Sequence, residues 1–354
     1  MSRILITGGA GFVGSNLALS WKRSRPDDEL IALDNLSRAG SELALRRLQE
    51  GGVQFLNGDV QNPEDLAQVG RAHLVIHCAA EPSVRSGYES DGLFLVHNNL
   101  LGTVNCLEFC RRHDAGLIYL SSSRVYPIAG LRDLPLEKGP ERLELPVDAA
   151  GPGWSHRGLR TDFPMEGSRS LYGATKLASE LLAQEYNALY GLPVVINRCG
   201  VISGCWQMGR VDQGFVALWA ARHLFKGMLR YTGFGGTGHQ VRDVLHIDDL
   251  FELVERQANT LTSNETRVYG VGGGHENSFS LLELSRLCAE RAGHELSIGS
   301  DPETHPADIP YFVTDNTDVT ERTGWRPRRT SKDLLDDVFS WLRDASPELI
   351  SLLG

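Results

Sequence analysis

Short apolar runs and helical-period stretches take turns along the first two hundred positions of the chain. Arg3-Ile4-Leu5-Ile6-Thr7 is apolar to the point where glycines end it, which predicts a strand buried on both faces of a parallel sheet. A helix is predicted from about Phe12 to Trp21, with Leu17 and Trp21 on one face. Further strands are predicted at 30–34, 53–56, 74–77, 117–120 and 192–196, with helical stretches between most of them. The two longest helical patterns run over 93–112 and 171–190. Such alternation predicts a doubly wound parallel α/β sheet, and the crossover rules leave few other topologies.

Between Tyr126 and Leu171 the alternation stops in a stretch rich in Pro, Gly and charge, including Gly151-Pro152-Gly153-Trp154. A structureless loop of that length is unusual in a compact domain, so the expectation is a functional or partly mobile loop, with a solvated insertion as the plain alternative. Beyond residue 197 glycine is more frequent, most clearly from Gly233 to Gly238, and short helices and strands follow. Amphipathic helices at 281–292 and 332–343 are expected to cover a smaller lobe.

Composition narrows the class. With 354 residues, 41% hydrophobic and 23% charged, the chain can bury a large core, which excludes a disordered tail or a stapled mini-protein. Thirty-five Lys and Arg against 45 Asp and Glu give a formal charge of −10 without any basic run, so no nucleic-acid partner is expected. An anionic ligand must then be held by local arginines and backbone amides. The six cysteines lack C-x-x-C spacing and read as buried reduced thiols, and the eleven histidines show no metal spacing, so no metal is expected. The first residues lack the pattern of a signal peptide and no apolar run has the length of a membrane span, so the expected compartment is the cytoplasm, with no membrane partner.

The chemistry begins directly after the first strand. Glycines at 8, 11 and 14 open a helix there: the first permits a tight turn, the second lets backbone approach a pyrophosphate, and the third lets helix pack closely on sheet. Asp34, twenty positions after Gly14 at the end of the second predicted strand, is placed to accept hydrogen bonds from an adenosine ribose and to repel a 2′-phosphate. The expected cofactor is therefore NAD, with Arg38 the one nearby residue that favours NADP. Tyr172 and Lys176 lie four apart on one helix face. A phenol is a poor base at its ordinary pKa of about 10, but an adjacent ammonium favours the phenolate. Tyr172 can then take a hydroxyl proton as hydride leaves the same carbon. A tyrosine and a lysine at this spacing most often mark a solvated face; what raises the pair is Leu120-Ser121-Ser122-Ser123-Arg124-Val125-Tyr126, a strand end at the sheet edge where ligands bind.

Taken together these pieces resemble the extended short-chain dehydrogenase/reductases, the family of nucleotide-sugar epimerases and dehydratases, over essentially the whole chain. The resemblance implies a Rossmann NAD-binding domain over 1–196, with a loop insertion at 127–170 and a returning segment near 241–271, and a smaller nucleotide-sugar-binding lobe formed mainly by 197–354. It implies catalytic roles for Ser122, Tyr172 and Lys176. For the cofactor it implies Gly8, Gly11, Phe12, Val13 and Gly14 in the loop, and Asp34, Asn35, Ser37 and Arg38 after the second strand. Asp59 and Val60 would flank the adenine, Ala79 and Ala80 would line the phosphate side, and Asn99 would sit near the active site with Tyr172 and Lys176. The substrate-binding residues it implies are Glu81, Ser122, Ser123, Arg124, Gln207, Val211 and Arg242, the last as a fork of donors clamping a diphosphate.

Family dehydratases carry an Asp-Glu pair directly after the catalytic hydroxyl; Ser123 and Arg124 stand there instead, which disfavours dehydration. The segments 122–127, 170–176, 198–202, 207–215 and 231–246 are most similar to the family's 2-epimerase subgroup, which acts on CDP-hexoses of the CDP-paratose and CDP-tyvelose type. The expected activity is thus inversion of C2 of a CDP-hexose through a transient 2-keto sugar. The alternatives are a UDP-sugar 4-epimerase, a nucleotide-sugar dehydrogenase or reductase, and an NAD-binding protein without turnover. Where many relatives hold the sugar-nucleotide phosphates with an asparagine, this chain has Val201 or Ile202. The two long helices resemble those of the family's four-helix interface, which implies a homodimer or homotetramer.

Overall fold

A computed structural model describes residues 2–88, 91–209, 213–262 and 266–353. Its central feature is a seven-stranded sheet built from β1 (Arg3–Thr7), β2 (Glu29–Asp34), β3 (Gln54–Asn57), β4 (Leu74–His77), β5 (Gly116–Ser122), β6 (Val194–Cys199) and β7 (Arg267–Val271). The strand order is β7-β6-β5-β4-β1-β2-β3, and the pairs from β3 across to β5 are parallel. Every residue of β4 and β5 is buried, as strands covered by helices on both faces require. Successive strands are added outward from β1 on one side and from β4 on the other, a switch point at whose carboxyl ends open α/β sheets bind ligands.

Three helices matter for what those ends carry. Helix α1 (Phe12–Ser24) follows the glycine loop. Helix α2 (Gly102–His113) is the last part of a continuous helical run from residue 92, interrupted by a π-helical turn at Val96–Leu101. Helix α3 (Leu171–Tyr190) starts at Ser170, whose hydroxyl accepts the Gly173 N–H at 3.2 Å, and stops at Gly191 in the left-handed conformation.

The chain divides into two compact units: residues 1–125, 170–198 and 250–269 form the first, and residues 126–169, 199–249 and 270–354 the second. In the second unit, Val201–Ser203, Val241–His246 and Ser278–Ser280 pair in that order, and Tyr311–Phe312 adds to Val241–His246. Helices Phe215–Leu224, Leu281–Ala292 and Ser331–Arg343 surround a core that includes Trp219, Val244, Phe279, Leu284, Leu335 and Phe339.

The expectation of a structureless loop between Tyr126 and Leu171 is corrected. This segment holds a short helix, Ile128–Arg132, a two-residue strand pair, Glu137–Lys138 with Leu143–Glu144, and a three-stranded patch of Ala150–Gly151, Trp154–Ser155 and Gly158–Leu159. Leu131, Leu134, Leu145, Leu159 and Phe163 are buried. The reason lies in distant partners within the second unit: Arg132 donates to the carbonyls of His305, Pro306 and Asp308, and Ser280 Oγ donates to Glu141 O at 2.6 Å. Such contacts leave no periodic trace in the segment itself.

Candidate active site

The carboxyl ends of five neighbouring strands bring the sequence-predicted residues of the first unit together. After β1, Gly8 turns with φ +65°, and a Cβ on it would stand 2.8 Å from the Ala79 backbone nitrogen. A Cβ on Gly14 would meet Gly8 O at 2.2 Å, so the first turn of α1 lies on the loop as only glycine allows. No side chain caps α1 and its first turn holds no carboxylate, which leaves a helix N-terminus suited to a diphosphate. Phe12 and Val13 are half-buried in that turn.

At the end of β2, Asp34 accepts the Ala10 N–H at 3.1 Å and the Leu36 N–H at 2.8 Å. Burial pushes its carboxyl above the usual range, and these two backbone bonds oppose the shift. Asn35 Nδ2 donates to Asp59 Oδ2 at 2.8 Å, and Asn35 Oδ1 accepts the Ser37 N–H at 3.0 Å, which joins the ends of β2 and β3. Val60 is buried, and its carbonyl accepts from Asn105 at 2.9 Å. Arg38, Ala79 and Ala80 are half-buried at the same edge. These groups fit NAD: a glycine cradle, a carboxylate beside it, and small residues after β4.

At the far side of that edge, Ser122 ends β5 and its hydroxyl accepts the Arg124 N–H at 3.1 Å; Ser123 and Arg124 are half-buried. Tyr172 is the second residue of α3 and packs with Val84, Leu95 and Leu171. Lys176, one turn on, is buried: Nζ donates to Leu120 O at 2.9 Å and lies 4.7 Å from the centre of the Tyr119 ring. Asn99, in the π-helical turn, accepts the Glu81 N–H at 2.8 Å and donates to the Glu81 carbonyl at 3.0 Å and to Thr175 Oγ1 at 3.4 Å. It therefore fixes the loop after β4 against α3. The Glu81 carboxylate accepts from Ser83 N–H and Ser86 Oγ in its own turn.

Sequence reasoning missed the groups beneath this edge. His77, fully buried, hydrogen-bonds Thr7 Oγ1 at 2.6 Å and Thr103 Oγ1 at 3.0 Å, so it ties β1 and α2 to β4. Burial, helped by the Lys176 charge, lowers its pKa to about 3, and the imidazole is neutral. Glu180 and Arg198 form a buried pair, with Arg198 Nη2 donating to Glu180 Oε2 at 2.8 Å. The signal was present as a four-residue period, Tyr172, Lys176, Glu180.

In the second unit, the two described residues predicted to bind substrate are engaged locally. Gln207 accepts from Ser203 Oγ at 2.7 Å and donates to Ile202 O at 2.9 Å. Arg242 donates to Val241 O at 2.7 Å and Ile309 O at 2.6 Å. Val211 lies outside the described residues. All six cysteines remain thiols, and burial pushes that of Cys106 up to about 12, away from nucleophilic use.

A model of the NAD dependent epimerase/dehydratase family matches residues 4–272. The chain belongs to that family. NAD is accordingly its cofactor. The family's CDP-paratose 2-epimerase of Salmonella typhi is 29% identical over 347 residues, covering 96% of this chain and 98% of that one. A dTDP-glucose 4,6-dehydratase of Mycobacterium tuberculosis is 28% identical over 355 residues, covering 97% and 93%. The structure of Thermus thermophilus UDP-glucose 4-epimerase in complex with NAD matches with a TM-score of 0.76 at 27% identity, over 97% of this chain and 100% of that one. Epimerases and dehydratases of nucleotide sugars thus share this chain's whole length.

Proposed function

We propose that this family member is a nucleotide-sugar epimerase that inverts C2 of a CDP-hexose. The observation that carries the choice is Ser123-Arg124, which follows Ser122 where the dehydratases carry an Asp-Glu pair. Eliminating water needs a proton donor and a base beyond the tyrosine, and a hydroxyl and a guanidinium supply no such pair. The end-to-end likeness to a CDP-paratose 2-epimerase supports C2 and the cytidine nucleotide.

Bound NAD supplies the acceptor and later the donor of a hydride. Tyr172 takes the proton of the sugar 2-hydroxyl as C2 gives up its hydride, and the buried Lys176 ammonium favours the phenolate that this requires. Ser122 holds the reacting oxygen. Asp34 would accept from the adenosine ribose, and Asp59 and Val60 would flank the base. Once the 2-keto sugar has turned its other face to the same groups, Tyr172 would return the proton to the oxygen on C2. Arg242 and Gln207 of the second unit remain candidates for binding the nucleotide sugar, by the resemblance alone.

The test is to incubate the purified protein with CDP-, UDP-, GDP- and dTDP-hexoses and follow C2 and C4 stereochemistry by NMR, identifying the dinucleotide released on denaturation. Inversion at C2 of a CDP-sugar with bound NAD is expected. Inversion only at C4, or net reduction of added NAD, overturns the proposal.

A further inference from the structure

Two consecutive residues of β5 are tied to two consecutive turns of α3. Leu120 O accepts from Lys176 Nζ at 2.9 Å, and Ser121 Oγ donates to Glu180 Oε1 at 2.5 Å. Ser121 thus faces α3 from the end of the strand. The Glu180 side chain has no exposed surface, and both of its carboxylate oxygens accept from Arg198 of β6, Oε1 from Nε at 3.2 Å and Oε2 from Nη2 at 2.8 Å. Two-point donation from a planar guanidinium fixes the direction of a carboxylate as well as its place. A buried ion pair contributes little net stability against apolar residues of the same size, so its value here is geometric.

We propose that Glu180 is a positioning residue for the proton transfer proposed above, on which this inference rests. Held by Ser121 and Arg198, it sets the register of α3 on β5, and with it the placement of Tyr172 and Lys176 against Ser122. Its charge also sets how readily Tyr172 ionises. The ionisable groups on the elements packed around that phenol include Lys176 and Glu180 on α3, His77 on β4, Tyr119 on β5, Arg124 in the turn after β5, His97 in the π-helical turn, Arg198 on β6, and Glu81 and Arg85 after β4. Burial holds His77 and Tyr119 neutral. Eight helical residues place Glu180 about 12 Å from Tyr172. At the effective permittivity of a protein interior, a unit charge at that distance moves a pKa by about one unit. Losing the negative charge favours the phenolate, so the Tyr172 pKa falls.

The experiment uses the full chain with its bound NAD. Ultraviolet difference titration of wild type against Tyr172→Phe isolates the Tyr172 phenolate band, and the same pair is prepared in a Glu180→Gln background. Glu180→Gln keeps an acceptor for Ser121 and removes the charge; the band midpoint is expected about one pH unit lower. Ser121→Ala keeps the charge and cuts the tie; kcat on CDP-paratose is expected to fall roughly tenfold with KM and midpoint unchanged, as misplacement of a reacting group predicts. An unmoved midpoint in Glu180→Gln overturns the electrostatic part, and wild-type kcat in Ser121→Ala overturns the positioning part. If Glu180→Gln does not fold, Ser121→Ala decides alone. Should the wild type turn over no nucleotide sugar, the functional reading fails while the titration still judges Glu180.

Discussion

Single side chains here divide into those that exchange protons with a substrate and those that keep the edge of the sheet in place. Under the proposed function, Tyr172 belongs to the first kind. Replacing it with Phe keeps the ring that packs on Val84, Leu95 and Leu171 and removes only the hydroxyl. Tyr172→Phe is expected to fold and retain NAD while losing turnover by roughly two to four orders of magnitude; near-normal turnover in an NMR assay would contradict the role. His77 belongs to the second kind, and its effect is on stability. Its folded pKa is lowered from 6.5 to about 3, so its contribution is present above pH 6.5 and is lost as pH falls from there toward 3. The slope is on the order of 1.4 kcal/mol per pH unit from this one group. In urea denaturation, the stability gap between wild type and His77→Asn should shrink between pH 7 and pH 4; a constant gap would dissociate the histidine from the acid sensitivity.

At the level of elements, strands and long helices were legible because each carries its own period. Arg3–Thr7, Leu74–His77 and Leu171–Tyr190 have the same limits in the sequence pattern and in the structure. The candidate site was legible where a loop's chemistry is local, as in Gly8 to Gly14, and where two residues share a helix face, as with Tyr172 and Lys176. What remained hidden depends on partners that leave no period in the sequence: those of the folded segment 126–169, the π-helical turn that aims Asn99 at Glu81, and the groups that engage Arg242 and Gln207. The helices also carry exposed apolar residues that their own unit does not cover: Leu93, Phe94 and Leu101 in the run leading into α2, and Leu181, Leu189 and Tyr190 on α3. We propose that a second copy of the chain covers them. Sedimentation should show a dimer or tetramer at micromolar concentration that Leu181→Glu with Leu189→Glu converts to monomer without loss of bound NAD. A monomeric wild type would contradict this.

For the whole molecule, two compact units are built within one chain, each with its own core. The described residues include no helix long and apolar enough to cross a membrane. The first unit carries the glycine cradle and Ser122 at the ends of strands that share a continuous core, and Tyr172 and Lys176 on α3, so the groups proposed to react stand on regular elements. Because the proposed reaction begins and ends with the same oxidation state, the hydride that leaves C2 must be the one that returns. The measurement that tests this most directly is turnover of CDP-paratose deuterated at C2, read by NMR and mass spectrometry in ordinary water. The account predicts inverted C2 with the deuterium retained on it. Inversion with the deuterium washed out would mean that C2 is deprotonated rather than oxidised, and would contradict the account at its centre.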